Sequence, residues 1–282
     1  MEIRGEGSFS LSFGRKGGRK AGGAGAHGFP RQVAVRAFAL RESIMSAERV
    51  LDLTYAFEER TVYWPTEAGF RYWYEHYGPV AGEDRFYAAG SFYAPEHGGT
   101  HMDAPLHFSE GGTSADRIPL GQCIGPACVI DFRRRAESDA DAALSVADLE
   151  RHERQWGPLP DGAIVVAFSG WGRFWPQKKQ YLGTDRWADV ENLHFPGYSP
   201  ELVSFLLRER KIAALAIDTA SLDPGGSRDF PVHRLWLGAG RPGFENLANV
   251  EALPPRGATI YGIPMKIARG TGAPARVFAS LP

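Results

Sequence analysis

Cysteine is scarce in this chain: Cys123 and Cys128, five apart in QCIGPACVI, are the two in 282 residues. No CxxC pair occurs, which argues against a cysteine zinc site. The two thiols read as a free, partly buried pair rather than as a disulfide framework. There is no run of 18 apolar residues, so nothing reads as a membrane span. An excess of charge of either sign is also missing. With 32 Lys+Arg against 33 Asp+Glu the net charge is -1, which leaves no basic field to hold nucleic acid. The patch RKGGRK near the N-terminus is too small to change that reading. What the chain does have is a 43% hydrophobic content, 34 glycines and 20 prolines. That is enough apolar material for a full core in a turn-rich fold.

The sequence divides unevenly. Residues 1–44 are rich in glycine and poor in apolar side chains, and they carry no apolar run of the kind a secretory signal needs. They read as a disordered leader, a transit segment or an over-extended start ahead of Met45. Residues 45–282 read as one domain, placed in the cytoplasm. Val50–Thr54 alternates as a first strand, and Arg85–Tyr93 is an aromatic strand leading towards a histidine-rich segment. Apolar runs at Pro126–Phe132, Ala163–Phe168 and Ile212–Ile217 fit buried strands. Thr259–Ile263 and Val277–Leu281 fit late ones. Ser145 with Asp148 forms a capping-box pattern for one helix, which ends near Gly157. Ser199-Pro200 opens another, with Leu202, Phe205 and Leu206 on its apolar face. A helix followed by a buried strand occurs twice, so part of the sheet is expected to be parallel, within a mixed α/β domain.

The most informative segment is HGGTHMDAPLH. His97, His101, Asp103 and His107 fall within eleven residues of a chain that has 8 histidines in all. Neutral imidazole and carboxylate are ligands for zinc, manganese or iron. His101 and Asp103 are two apart, so in an extended segment both leave on the same face. Gly98 and Gly99 permit unusual backbone angles between the first two histidines, and Pro105 stiffens the approach to His107. A bound divalent ion would acidify water and polarise a carbonyl. A histidine not engaged as a ligand would suit the remaining proton transfer near pH 7.

At this point the segment resembles a known signature. HGGTHMDAPLHF matches every fixed position of the HxGTHxDxPxHF pattern of the metal-dependent cyclase family of hydrolases, which includes kynurenine formamidases and isatin hydrolases. HRLWLGAGRPGFENLANVEALP resembles the family's distal block, and Trp64-Pro65 matches a pair upstream of the signature. The resemblance runs from about Val50 to the C-terminus. It implies a three-layer β/β/α swivelling-type architecture and a centre of two divalent ions, zinc or manganese. In that centre His97 and His101 hold the first ion, His233 holds the second, and Asp103 and Glu245 bridge. His107 is the implied acid–base residue and Trp64 the implied aromatic substrate contact, although a core tryptophan would be equally ordinary. The implied activity is hydrolysis of a small aryl-formamide or cyclic amide, arylformamidase-like first. Isatin-type ring opening is second, lactone or polyketide cyclase-type chemistry third, and a metal-binding protein without catalysis is the alternative of another class. The expected partner is a small-molecule substrate, with neither nucleic acid nor membrane involved, in a homo-oligomer (dimer or tetramer).

Other chemistry-bearing residues have plainer readings. Asp218 ends a buried strand and would either support a metal shell or cap Thr219 or Ser221. His152, in LERHERQ, reads as part of a solvated helix face. His194 could edge a pocket or pack, and His76 reads as surface or interface. The aromatics of RYWYEHY fit either a lid over the substrate or a subunit contact.

Overall fold

The apolar runs become the parallel heart of a closed sheet. The computed structural model describes residues 49–282; the expectation for residues 1–44 lies outside the described residues. Strands β1 (Val50–Asp52), β2 (Arg71–Pro79), β3 (Phe86–Tyr93) and β4 (His101–Asp103) are followed by β5 (Ile124–Asp131), β6 (Ala143–Leu144) and β7 (Ile164–Phe168). The remaining strands are β8 (Gly197–Tyr198), β9 (Ala214–Ile217), β10 (Gly243–Glu245), β11 (Thr259–Pro264) and β12 (Gly272–Ser280). The main sheet runs β1-β12-β11-β5-β7-β9-β10-β4, and a further pairing of β12 with β4 closes its last seven strands into a ring. β5, β7, β9 and β10 are parallel, whereas β4, β11, β12 and β1 pair antiparallel. The mixed sheet is therefore as expected, and its form is a barrel-like closure.

The parallel strands β5, β7 and β9 are largely apolar because both faces are covered. Val129, Ile164 and Val166 turn into the ring, against Met102, Phe244, Ile260 and Val277. Ile130, Val165 and Ala167 turn outward, against Leu149, Leu202, Leu206 and Trp236. Those outer partners lie on helices. The helices are α1 (Arg133–Ala136), α2 (Val146–Trp156), α3 (Lys178–Leu182), α4 (Pro200–Glu209) and α5 (Pro231–Gly238). Asp148 accepts from the Ser145 backbone N–H at 2.9 Å at the start of α2. Ser199 Oγ accepts from the Leu202 N–H at 3.1 Å at the start of α4. The chemistry of both caps was legible in the sequence. Among the described residues, no helix is long and apolar enough to cross a membrane.

Two readings need correction. His152 is buried, not solvated. Its helix face packs beneath Arg256, whose Nε lies 3.4 Å from His152 Nε2. Burial and the Arg256 charge lower the pKa of His152 to about 4. His194 neither edges the pocket nor packs in the core: its Nδ1 pairs with Asp141 Oδ2 at 2.7 Å on the surface. The RYWYEHY segment forms β2, which pairs with β3 as a separate two-stranded ribbon. The aromatics of the ribbon stay exposed, with Tyr77 on β2 at 65% and Phe86 on β3 at 63%. Cys123 and Cys128 are free and buried.

Candidate metal centre

Strand register assembles the centre. β4 lies between β10 and β12 in the ring, and Glu245 sits directly opposite His101. Because side chains alternate along a strand, Met102 and Phe244 enter the core while His101, Asp103 and Glu245 emerge together on the other face. All three are buried. β12 approaches at Gly272, where a Cβ would come within 2.4 Å of His97 Cε1; only glycine leaves room for that ring. His107 ends a 3-10 turn, Pro105–His107, just beyond β4.

The fourth imidazole comes from α5, which sequence reasoning did not find. Asp223 builds this corner twice over. Its carboxylate accepts from the backbone N–H groups of Val232 and His233 at 3.0 Å each, satisfying the open first turn of the helix. It also takes the Nδ1–H of His233 at 2.6 Å.

The two acidic residues divide their oxygens between two sides. Asp103 Oδ1 lies 2.7 Å from His97 Nδ1 and 3.2 Å from His101 Nε2, whereas Oδ2 lies 3.1 Å from His233 Nε2. Glu245 Oε2 lies 3.4 Å from His101 Nε2, and Oε1 lies 3.2 Å from His233 Nε2. One half-site is thus framed by His97, His101 and one oxygen of each acid. The other is framed by His233 and the remaining oxygens.

The outer nitrogen of each ring decides what the inner one can be. His101 Nδ1 donates to the Gly99 carbonyl at 2.9 Å. His233 Nδ1 donates to Asp223. Thr271 Oγ1 gives its proton to Glu96 Oε2 at 2.6 Å, so it accepts from His97 Nε2–H at 2.9 Å. In the neutral ring, each inner nitrogen therefore carries a lone pair, and all three lone pairs face carboxylate oxygens. His101 Nε2 is buried and makes no hydrogen bond. Lone pairs crowded against anions are unfavourable unless cations stand between them, and outer partners of this kind are what orient metal-ligating histidines. The residues present fit divalent cations.

Burial pushes Asp103 up, but the neighbouring imidazoles of His101, His233 and His97 outweigh this and hold it well below the usual carboxylate range. Burial and then the Asp103 charge push Glu245 up, against His233 and His101. Burial lowers the His233 pKa, but Asp103, Asp223 and Glu245 raise it well above the usual value.

His107 differs from the other three. Its ring stacks on His97 with centroids 3.8 Å apart, and it reaches solvent through the cleft. It forms no hydrogen bond to a described side chain. One of its nitrogens lies within 4.8 Å of donor atoms of His97 and Asp103, so its position allows either ligation or proton transfer. Burial of its ring atoms lowers its pKa to about 4; Asp103 opposes this and the neighbouring imidazoles add to it.

Above the centre opens a cavity of about 230 Å³ with Trp64, Phe108 and Phe230 on its walls. Trp64 packs edge-on to Phe195 at 6.3 Å between centroids. Asp218 lies outside this cavity and caps neither Thr219 nor Ser221. It accepts instead from Ser169 Oγ at 2.6 Å and from the Ser169 and Trp171 N–H groups. Sequence reasoning missed Asp223, Glu96 and Thr271. The available signals were a carboxylate shortly before His233 and another next to His97.

A barrel-like α/β sheet with a buried imidazole–carboxylate centre at one strand edge defines the class of protein. The cyclase family model matches residues 51–224, which include His97, His101, Asp103 and His107 and stop short of His233 and Glu245. The chain belongs to the cyclase family. It is similar to the isatin hydrolase of Roseibium aggregatum, with 32% identity over 70% of this chain and 76% of that one. It is also similar to the kynurenine formamidase of Sphingopyxis alaskensis, with 28% identity over 81% and 96%. The solved structure of isatin hydrolase A from Ralstonia solanacearum superposes with a TM-score of 0.75 at 30% identity, covering 92% of this chain and 100% of that one.

Proposed function

We propose that this chain hydrolyses the carbon–nitrogen bond of a small aryl-formamide or cyclic amide, with arylformamidase-like activity, using two divalent ions of zinc or manganese. His97, His101, Asp103 and Glu245 hold the first ion, and His233, Asp103 and Glu245 the second. The observation that carries this is the set of three imidazole lone pairs facing two buried carboxylates, each ring fixed by an outer hydrogen bond. When bound, the ions would acidify a water and polarise the substrate carbonyl. The chain's own residues supply the rest. Asp223, Thr271 and the Gly99 carbonyl fix the ring orientations. Trp64, Phe108 and Phe230 offer aromatic walls to an aryl group. His107, neutral at pH 7 and without an outer anchor, takes the proton of the attacking water and delivers it to the departing nitrogen. The water oxygen bonds to the carbonyl carbon, the C–N bond breaks, and the amine leaves with that proton.

Isatin-type ring opening is the second reading, favoured by the isatin hydrolases among the similar proteins. A metal-binding protein without catalysis would have no use for an unanchored histidine at His107. The three-layer swivelling-type description belongs to the same proposal, as does a cytoplasmic homo-oligomer in which the exposed aromatic ribbon β2–β3 packs on a second copy. Turnover of N-formylkynurenine, isatin and a lactone panel by metal-loaded protein tests the activity. Hydrolysis of the formamide or of isatin is expected, and inactivity on every amide would overturn the reading.

A further inference from the structure

Among the described residues, one charged side chain lies on the cavity wall outside the imidazole–carboxylate centre, and that charge is negative. Glu67 lines the cavity, whereas no described lysine or arginine does. Glu67 follows Trp64 in the same turn, its backbone N–H donating to the Trp64 carbonyl at 2.9 Å. It is exposed, and among the described residues nothing pairs with its carboxylate. Of the neutral polar groups of the wall, the Tyr63 hydroxyl is buried without a hydrogen-bond partner, whereas Asn246 and Ser221 are engaged. Asn246 Nδ2 donates to the Gly99 carbonyl at 2.8 Å, and its Oδ1 accepts from the Tyr181 hydroxyl at 2.9 Å. Ser221 Oγ accepts from the Asp223 N–H at 3.2 Å.

We infer that Glu67 is a specificity residue. It selects aromatic amides whose ring carries a cationic or neutral substituent and disfavours those carrying an anionic one. This rests on the hydrolase reading only in so far as the ligand is an aryl amide; the sign of the selection comes from the wall itself. A flat aryl group between Trp64, Phe108 and Phe230 directs its reacting carbonyl to the centre and its far substituents outward. There the wall offers a carboxylate with nothing to neutralise it. An ammonium group gains an ion pair at that point. A carboxylate meets a like charge and finds no basic side chain on the wall to receive it. An exposed pair contributes modestly. Attraction for one substituent and repulsion for the other together separate the two by about tenfold.

The test uses metal-loaded full-length protein and two matched series. Binding of 4-(aminomethyl)aniline, 4-methylaniline and 4-aminophenylacetate is measured by calorimetry. kcat/KM is measured on the three corresponding formanilides. The expected order is amine, then methyl, then acid, with about tenfold between the ends and a smaller spread at 0.5 M salt. Glu67→Gln is expected to bring amine and acid within about threefold of each other. Glu67→Lys is expected to invert the order, with metal content unchanged in both variants. If the anilines follow the order but no formanilide is cleaved, the charge selection stands and the hydrolase reading falls. Cleavage of the formanilides with no order in either series, or with the same order in both variants, overturns the selection. So does the absence of binding by all three anilines.

Discussion

Two clusters of buried carboxylate lie at the ends of neighbouring strands and are satisfied in opposite ways. Asp218, after β9, is surrounded by donors that the chain supplies: a serine hydroxyl and backbone N–H groups. Burial pushes its pKa up to about 6 against those bonds. Asp103 and Glu245, on β4 and β10, face imidazole nitrogens whose protons point the other way, towards Asp223, Thr271 and Gly99; Glu245 takes one backbone donor besides, the Leu222 N–H at 2.7 Å. A buried carboxylate with neutral donors is a structural element. A pair of them facing three outward-tethered imidazoles is incomplete without added positive charge.

Removing each acid separates the two cases most widely. Asp103→Ala should release metal from both half-sites and lower turnover by at least about 10³-fold, since the missing electrostatic assistance amounts to several kcal/mol. Asp218→Asn should keep its metal and instead lose about 1–3 kcal/mol of stability, because donors around it are left poorly matched. Metal analysis and denaturant melts on both variants read this directly. Equal metal loss in the two would erase the distinction.

His107 sharpens the comparison within the centre itself. As the histidine without an outer partner, it should behave unlike His97 and His101. His107→Ala should lower kcat by about 10²–10⁴-fold while metal content stays near wild type, whereas His101→Ala should lose both. Metal loss in His107→Ala would reassign it as a ligand. A smaller effect is expected one step further out. Asp223→Asn should weaken metal binding by about 10–100-fold, as partners of ligating histidines do. An unchanged metal affinity there would mean that Asp223 only caps α5.

The smallest effect concerns a buried histidine with no metal to hold. His152 has its pKa lowered to about 4 from an ordinary 6.5. Folding therefore favours the neutral ring. That stability is fully present above pH 6.5 and is lost as pH falls through 4. Between pH 6.5 and 5 the loss should be about 1–2 kcal/mol, and His152→Gln should remove most of it. Chemical denaturation at the two pH values decides; an equal pH dependence in both proteins would place the charge change elsewhere.

What could be read from the sequence follows from how far apart the cooperating residues lie. His97, His101, Asp103 and His107 are local, and the period of an extended strand puts His101 and Asp103 on one face without further information. The buried strands were legible because continuous apolar runs need cover on both sides. His233 and Glu245 entered through family resemblance alone, since nothing local says that β10 lies beside β4. α5 was missed because Asp223, outside the helix, supplies its first-turn acceptor. His152 was misplaced because charged neighbours such as Arg151 and Glu153 conceal that its own face turns inward onto Arg256. The ribbon's exposed aromatics left two readings open, because a strand pattern does not say what will cover it.

The central claim is that the imidazole–carboxylate centre is completed by two divalent cations. The most direct measurement is metal content together with thermal unfolding, before and after chelation and after reloading with zinc or manganese. The account predicts two ions per chain in the reloaded protein and a clear fall in Tm on chelation, because binding to the folded state adds stability by mass action. Protein that takes up no divalent metal, and whose Tm is unmoved by chelation and reloading, would contradict it.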